Sequence, residues 1–392
     1  MKIGIITFWE STDNYGQVLQ AYALQQVLKS MGHEPFQIRY SLKASLSQSF
    51  HKTSLVKKIL KVLLVYPALK TLRREKKKEA DEACRVMIEK KNFARQFPAF
   101  REKYLCSSKL VYNSIEEIKK NPPQADCYIT GSDQVWTMLL GNAGNNAYFL
   151  DFGNSETKRI AYAASFSLPS YPERLMPLLK EQLEKFDAIS VREDEGVEIC
   201  KQAGRNDAVK TLDPTLLLDK DAYLILSNSI STPRNYAFVY SINIRKADEI
   251  AWDEICKCAD HRCVKLVTTT SSGHFPGREI LPNTEYVYAT IPEWIAYIHN
   301  SEFVATTSFH GVVFCLILNK PFVYFPLGGN GAKGNGRVHS LLSPLGLTNR
   351  IYGEKSVEEI LRSEINWERV NGLLKINEID SLKFLDEKLG EQ

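Results

Sequence analysis

Short apolar strands alternate with amphipathic helices along most of the chain. Residues 2–7 form a β-branched, mostly apolar run that predicts a buried strand. A polar turn follows at residues 11–16, a helix is predicted from about Gln17, and the next strand is expected at residues 34–40. Four apolar residues of that helix recur at the i, i+3, i+4 and i+7 spacing of one helix face: Leu24, Val27, Leu28 and Met31. The chain therefore begins with a β-α-β unit.

The same alternation resumes beyond residue 105 and predicts two parallel sheets. The further strands are expected at residues 127–130, 160–164, 188–191 and 209–212, and then at 236–240, 265–268, 303–306 and 321–325. A linker rich in Ser and Asn is predicted between the two series, at about residues 220–234. The expected fold class is α/β, with two facing Rossmann-like domains.

The domain boundaries follow from this alternation, and 392 residues exceed the usual size of one hydrophobic core. The N-terminal Rossmann-like domain is expected at residues 1–225 and the C-terminal one at residues 226–370. Residues 371–392 are expected to form a helix that packs back on the body. Five apolar residues at helical spacing support that helix: Ile376, Ile379, Leu382, Leu385 and Leu389.

A basic helical insertion is predicted in the first lobe, at about residues 45–105. It has no strand pattern and is rich in Lys, Arg, Leu and Glu. Two interpretations remain open for the charged segment at residues 51–105. It forms helices with solvated basic faces, or it makes peripheral contact with an anionic membrane or a phosphorylated acceptor.

Composition excludes several classes of protein. The formal net charge is only +4, from 50 basic and 46 acidic residues, which is too balanced to indicate a nucleic-acid partner, and none is expected. The first ten residues lack the pattern of a signal peptide and no apolar run is long enough to span a bilayer, so a cytoplasmic location is expected, with the inner face of the membrane as an option. The eight cysteines are expected to be reduced. Four candidate ligands lack zinc-finger spacing, so no metal site is expected there: Cys256, Cys258, His261 and Cys263.

Residues able to do chemistry gather directly after the predicted strands. They are Asn14, Tyr15 and Gly16 after the first strand, Ser132, Asp133 and Trp136 after residues 127–130, Arg192 after residues 188–191, and His310 after residues 303–306. In open parallel sheets, ligands bind beyond these strand ends. Turn and capping chemistry alone explains Ser132 and Gly311 well, but it explains Arg192 and His310 poorly.

His310 and a glycine-rich loop are the two candidates for binding an anion or acting on it. His310 lies where a strand turns into a helix, and the positive end of the helix dipole attracts anions there. A bound phosphate would favour the protonated imidazole, which could then shuttle a proton. The loop at residues 328–336 lacks the GK[ST] ending of a P-loop and leads to Arg337. It either delivers Arg337 to an anion or is a surface loop with a solvated arginine.

Taken in order, these segments resemble the polysaccharide pyruvyl transferase family. The matching segments are Ile6-Thr7-Phe8, Asn14-Tyr15-Gly16-Gln17, Gly131-Ser132-Asp133-Gln134-Val135-Trp136, Ser190-Val191-Arg192-Glu193, Leu212-Asp213-Pro214-Thr215, Thr307-Ser308-Phe309-His310-Gly311 and Lys320-Pro321-Phe322-Val323. Each segment is weak alone, whereas the ordered set is fairly specific.

The resemblance implies a fold and an activity. The fold would be similar to that of two-lobed (GT-B-like) glycosyltransferases. The activity would be transfer of an enolpyruvyl group from phosphoenolpyruvate to a hexose of a surface or capsular polysaccharide precursor, giving a pyruvate ketal and phosphate. The acceptor would be a sugar or a lipid-linked or nucleotide-linked saccharide. No cofactor and no metal are required.

The resemblance also suggests roles for individual residues. Catalysis would fall to His310 and Asp133. The donor would be bound by Arg192, Ser308, Gly311 and Arg337. The acceptor would be bound by Trp9, Asn14, Tyr15, Gly16, Ser132 and Trp136, although the aromatic residues among them are as often core residues.

One position departs from the family pattern. Many members carry an arginine two residues before the histidine, where this chain has Ser308. Arg192 and Arg337 would then have to supply the positive charge. Two alternatives stay open: a nucleotide-sugar-dependent glycosyltransferase of the same architecture, and a non-catalytic member of the family that binds glycans.

Overall fold

The computed structural model describes residues 1–41, 89–137, 145–271 and 279–390. The predicted basic insertion therefore lies outside the described residues as far as residue 88. Residues 89–95 are helical, and a further helix covers Phe97–Tyr104.

A seven-stranded parallel sheet forms the first lobe. Its strands are β1 (Lys2–Ile6), β2 (Glu34–Tyr40), β3 (Ser107–Tyr112), β4 (Cys127–Thr130), β5 (Lys158–Ala164), β6 (Ala188–Val191) and β7 (Val209–Lys210). They lie in the order β3-β2-β1-β4-β5-β6-β7. The order reverses between β1 and β4, which pair in parallel from Ile3 opposite Cys127 to Ile6 opposite Thr130. This switch point is where such sheets open a crevice for ligands.

The second lobe repeats this arrangement with five strands. They are β8 (Tyr236–Ile242), β9 (Lys265–Ser271), β10 (Glu285–Tyr286), β11 (Val304–Thr306) and β12 (Phe322–Tyr324). Their order is β10-β9-β8-β11-β12, again parallel, with the switch point between β8 and β11.

Helices cover the faces of both sheets. They are α1 (Tyr15–Ser30), α2 (Phe97–Tyr104), α3 (Ile115–Lys120), α4 (Met176–Leu183), α5 (Asp194–Gln202), α6 (Lys220–Ser227), α7 (Trp252–His261), α8 (Ile291–Asn300), α9 (Phe309–Ile317), α10 (Gly336–Leu342), α11 (Val357–Arg362) and α12 (Trp367–Gly390). Pro292 occupies the first turn of α8, and Thr290 and Glu293 form a capping box there. Among the described helices, none is both long and apolar enough to cross a membrane.

Two elements tie the lobes together. Tyr15, at the start of α1, is fully buried in the core of the second lobe, where its ring stacks on Trp294 at 5.1 Å. Its hydroxyl donates to the Ala289 carbonyl at 2.6 Å. The long helix α12 returns from the second lobe and buries Leu385 and Leu389 among the residues behind the first sheet.

Some local predictions were wrong for identifiable reasons. Residues 220–227 are helical rather than a linker, because Asp219 caps α6 and Tyr223 packs edge-on against Phe314. Strand β3 was missed because most of its residues are exposed and its apolar run is only three residues long, from Leu110 to Tyr112. In α12 the helical spacing is right, but Ile376 and Ile379 are 59% and 55% exposed.

Candidate functional site

His310 lies where the two lobes meet. It occupies the first turn of α9, directly after β11, and Ser308 caps that helix by accepting from the Gly311 N–H at 3.3 Å. His310 is only 6% exposed. A Cβ atom added to Gly16, in the first lobe, would lie 2.1 Å from both Cγ and Nδ1 of His310. Gly16 is thus required by close approach, since only a residue without a side chain leaves room for the imidazole.

Asp213 is the buried centre of the site. It follows β7 and is 1% exposed. Its Oδ1 accepts from the backbone N–H and the hydroxyl of Thr215 at 3.0 and 2.6 Å. Its Oδ2 accepts from Ser132 at 2.8 Å and from Arg192 Nη1 at 2.7 Å, and it lies 3.4 Å from His310 Nε2.

The charge state of Asp213 follows from these partners. Burial alone would raise the pKa of its carboxyl group, but the charges and hydrogen bonds of His310, Arg192 and Thr215 outweigh burial and lower the pKa well below its usual value. Asp213 is therefore a carboxylate at neutral pH, held in a fixed orientation.

Two arginines, one from each lobe, lie close to the same aromatic ring. The guanidinium carbon of Arg192 is 4.3 Å from the centre of the Phe309 ring, and that of Arg337 is 5.8 Å away. Arg192 is 5% exposed, yet its Nε and Nη2 have no hydrogen-bond partner within the described part of the chain. Arg337 donates from Nε to the Gly334 carbonyl at 3.0 Å, and Gln134 is placed to accept from its Nη1 and Nη2 at 2.9 and 3.2 Å.

Burial and the positive charge of Arg192 lower the pKa of Arg337 to about 10. Arg192 is buried and Arg337 is partly buried, and their guanidinium groups repel one another. Such a pair, with hydrogen-bond donors left unused, is suited to an anion.

Asp133 and Glu193 complete the polar groups of this region. Asp133 follows β4 with a left-handed backbone (φ 89°), which is uncommon for a residue with a side chain. Its Oδ1 accepts from the Gln134 N–H at 2.8 Å and lies 3.9 Å from Arg192 Nη2. Glu193 accepts at Oε1 from Ser165 and from two backbone N–H groups. One buried oxygen of each carboxylate has no partner among the described residues.

Four of the residues predicted to bind the acceptor make structural contacts. Tyr15 and Trp136 are fully buried core residues, and the Trp136 ring stacks on Phe149 at 5.3 Å, so neither presents a face to a sugar in this structure. Ser132 is buried and donates to Asp213 instead of facing an acceptor. Asn14 is the N-cap of α1.

Trp9 is the one predicted aromatic platform that stays partly accessible. Its indole N–H donates to the Tyr40 carbonyl at 2.9 Å, which holds the ring across the ends of β1 and β2. The guanidinium carbons of Arg39 and Arg101 lie 6.0 and 5.8 Å from the ring centre. Both guanidinium groups therefore lie over the indole ring.

Several site residues escaped prediction from the sequence. Asp213 and Glu193 lie within segments that matched the family, but their neighbours in sequence suggest only turns. Phe309 lies within another matching segment, but the sequence suggested no role for it. What marks these residues is their contacts with residues far away in the chain, which a single sequence does not show.

Comparison with known proteins now decides the family. The polysaccharide pyruvyl transferase family profile matches residues 14–328, which is most of the chain. The chain belongs to this family. It is therefore a member of a transferase family, and no curated protein sequence gave a match of its own.

Solved structures agree on the architecture of this family member. Methanocaldococcus jannaschii UDP-GlcNAc 2-epimerase, in complex with UDP-GlcNAc and UDP, is 11% identical with a TM-score of 0.53, over 99% of this chain and 100% of that one. Arabidopsis thaliana UGT89C1, complexed with UDP-L-rhamnose, is 10% identical with a TM-score of 0.50, over 98% and 97% of the two chains. These likenesses concern the fold alone. The predicted fold class, two Rossmann-like lobes similar to GT-B enzymes, is confirmed.

Proposed function

We propose that this protein transfers an enolpyruvyl group from phosphoenolpyruvate to a hexose of a surface or capsular polysaccharide precursor, forming a pyruvate ketal and releasing phosphate. The observation that carries the proposal is the pair Arg192 and Arg337, which converge on Phe309 beside His310. Membership in the family supports the same reaction.

The charges of the site suit this donor. Phosphoenolpyruvate carries a carboxylate and a phosphate, and forked guanidinium donors recognise both groups. The unpartnered Nε and Nη2 of Arg192 offer such a fork. An anion placed between the two arginines would also remove the repulsion that contributes to the lowered pKa of Arg337. The arginine pair thus replaces the positive charge that Ser308 does not provide.

His310 is assigned the proton transfers. It protonates the methylene carbon of the enol phosphate, which becomes a methyl group, and the neighbouring carbon becomes oxocarbenium-like. A first sugar hydroxyl adds to that carbon and gives its proton to His310, which restores the imidazolium. The bond from that carbon to the phosphate oxygen then breaks. A second hydroxyl of the same sugar adds and closes the ketal, and its proton leaves with the phosphate.

Asp133 and Trp9 are assigned to the acceptor. The unpartnered buried Oδ2 of Asp133 can accept a hydrogen bond from a sugar hydroxyl. Trp9 offers an aromatic face for a hexose ring at the ends of β1 and β2. A lipid-linked or nucleotide-linked acceptor would bring phosphate groups, which fit the arginines beside Trp9.

The test is phosphate release from phosphoenolpyruvate in the presence of simple and lipid-linked galactosides, glucosides and mannosides. Acceptor-dependent release should fall by about 10²- to 10⁴-fold in His310→Ala, the usual contribution of an acid-base group. The matched control is His339→Ala, because His339 is exposed on α10 of the same lobe and should tolerate the change. Release of a nucleoside diphosphate from a nucleotide sugar, with none from phosphoenolpyruvate, would instead establish a glycosyltransferase. Saccharide binding without any turnover would establish a glycan-binding protein.

A further inference from the structure

We infer that Asp213 is a positioning residue that orients both His310 and Arg192, so that Nδ1 of His310 is the nitrogen that exchanges the proton. The inference on the reacting nitrogen rests on the proposed function, whereas the orientation of the ring does not. Asp213 itself touches neither donor nor acceptor in this proposal. It acts through the two residues that it holds.

The carboxylate of Asp213 is fixed on all sides. Asp213 caps the short 3-10 turn Pro214–Leu217, and Thr215 donates twice to Oδ1, at 3.0 and 2.6 Å. Ser132 and Arg192 both donate to Oδ2, at 2.8 and 2.7 Å. Four hydrogen bonds to a residue that is 1% exposed leave the carboxylate no alternative rotamer of comparable energy.

This fixed carboxylate determines which ring nitrogen of His310 faces it. Nε2 lies 3.4 Å from Asp213 Oδ2, in charge contact but without hydrogen-bond alignment, and it has no hydrogen-bond partner among the described residues. If Nε2 carried a lone pair, two electron-rich atoms would face each other in a buried site. A proton on Nε2 turns that contact into an attraction, so the neutral ring should carry its proton on Nε2.

The other nitrogen is then left for chemistry. Nδ1 lies over Gly16, where a Cβ atom would come within 2.1 Å. Because Gly16 has no side chain, the imidazole packs directly against the backbone at the start of α1, and Nδ1 is the nitrogen that does not face Asp213. The neutral ring has its lone pair at Nδ1, and protonation there produces the acid that the proposed reaction needs.

Oδ2 of Asp213 also positions Arg192, the arginine that is proposed to bind the anion. Asp213 Oδ2 binds Nη1 of Arg192, and this contact places the guanidinium 4.3 Å from the Phe309 ring centre while Nε and Nη2 keep their hydrogens unused. The Asp213 carboxylate therefore positions both His310, which transfers the proton, and Arg192, which is proposed to bind the phosphate of phosphoenolpyruvate. Loss of its charge should disturb both at once.

The first test is the protonation pattern of His310 in the wild-type protein, read by ¹⁵N NMR of histidine-labelled protein with His310→Ala to assign the signals. We expect the neutral ring to carry its proton on Nε2, and to populate both tautomers in Asp213→Asn. A wild-type ring protonated on Nδ1, or an Asp213→Asn ring with the wild-type pattern, would overturn the inference. The wild-type measurement stands even if the variant does not fold.

The second test separates positioning from general support of the fold. In Asp213→Asn, kcat for phosphate release should fall by about 10²- to 10⁴-fold. Thr215→Val removes one hydrogen bond but keeps the charge, so it should lower kcat by less than about tenfold. Equal losses in the two variants would contradict the role of the charge. A wild-type protein with the expected tautomer but no phosphate release would refute the proposed reaction and still support the orientation of His310 by Asp213.

Discussion

Gly16→Ala is the substitution whose effect can be worked out most directly from the structure. The new Cβ would lie 2.1 Å from Cγ and Nδ1 of His310 and 2.6 Å from its Cβ. Ordinary contacts between such atoms are about 3.5–4.0 Å, so the ring or the start of α1 must move by more than about 1 Å. The start of α1 is held by Tyr15, which is stacked on Trp294. The His310 side chain is therefore the part expected to give way.

Two consequences of different size follow from that displacement. Overpacking of this kind costs about 1–3 kcal/mol of folding free energy, a modest loss for a protein of this size. A misplacement of about 1 Å at a reacting group costs about 10²-fold in rate. We therefore expect Gly16→Ala to fold, to unfold at a slightly lower temperature, and to release phosphate from phosphoenolpyruvate about 10²-fold more slowly.

The assay is phosphate release alongside a thermal melt, with Gly372→Ala as the control. Gly372 lies exposed in α12, and a Cβ there meets no atom within 4 Å. Alanine at that position should leave activity unchanged and stabilise the helix by up to about 1 kcal/mol. Wild-type activity in Gly16→Ala, with the His310 ring unmoved in its crystal structure, would refute the reasoning about close approach.

Three further predictions concern charge, pH and the acceptor. Arg337→Met should weaken phosphoenolpyruvate binding in calorimetry by about 10- to 150-fold, the value of one charged hydrogen bond, whereas Arg174→Met, at an exposed position, should not change it. The folded-state pKa of Asp213 is lowered, so its ionised form adds stability above about pH 4 that is lost as the pH falls further. The difference in unfolding free energy between wild type and Asp213→Asn should then shrink from pH 7 to pH 3, and a constant difference would contradict this assignment. Trp9→Ala should raise the acceptor KM by about 3- to 10-fold with little change in kcat, since stacking contributes about 0.5–1.5 kcal/mol; a fall in kcat alone would place Trp9 elsewhere in the mechanism.

The sequence was sufficient for most of the fold because buried strands carry a local signal. Strands such as β6 and β8 are short apolar runs followed by polar turns, and their parallel pairing follows from the helices between them. The exposed strand β3 and the two-residue strand β10 lack that signal, so they were missed. The edge of each sheet was thus less predictable than its centre.

The site was only partly predictable for a different reason. His310, Arg192 and Asp133 were identified because polar residues at strand ends are unusual enough to be noticed. Asp213 was not, because its partner Ser132 lies 81 residues away in the sequence. For Trp136, one sequence does not distinguish a ring that stacks on a sugar from a ring that stacks on Phe149. Long-range contacts, rather than residue types, separate the two cases.

Ser308 occupies the position at which many family members carry an arginine, so any positive charge in this site must come from other residues. Its side chain is 3% exposed and caps α9, so it serves the helix that carries His310. In the proposed function, the positive charge that many family members place there comes instead from Arg337, which lies in the first turn of α10. An arginine at position 308 would bring a third guanidinium towards a site that already holds Arg192 and Arg337, with further repulsion.

The position of Arg337 connects the proposed donor site to the contact between the lobes. Arg337 belongs to the second lobe, but Gln134 of the first lobe is placed to accept from its Nη1 and Nη2. Three residues further along α10, Ser340 accepts from the Asp194 N–H at 3.1 Å and donates to Glu195 at 3.2 Å, again in the first lobe. If the lobes separated, Arg337 would leave the site together with α10, and Arg192 alone would face the donor. Under the proposed function, donor binding and closure of the two lobes should therefore stabilise one another, because one arginine from each lobe would bind the anion.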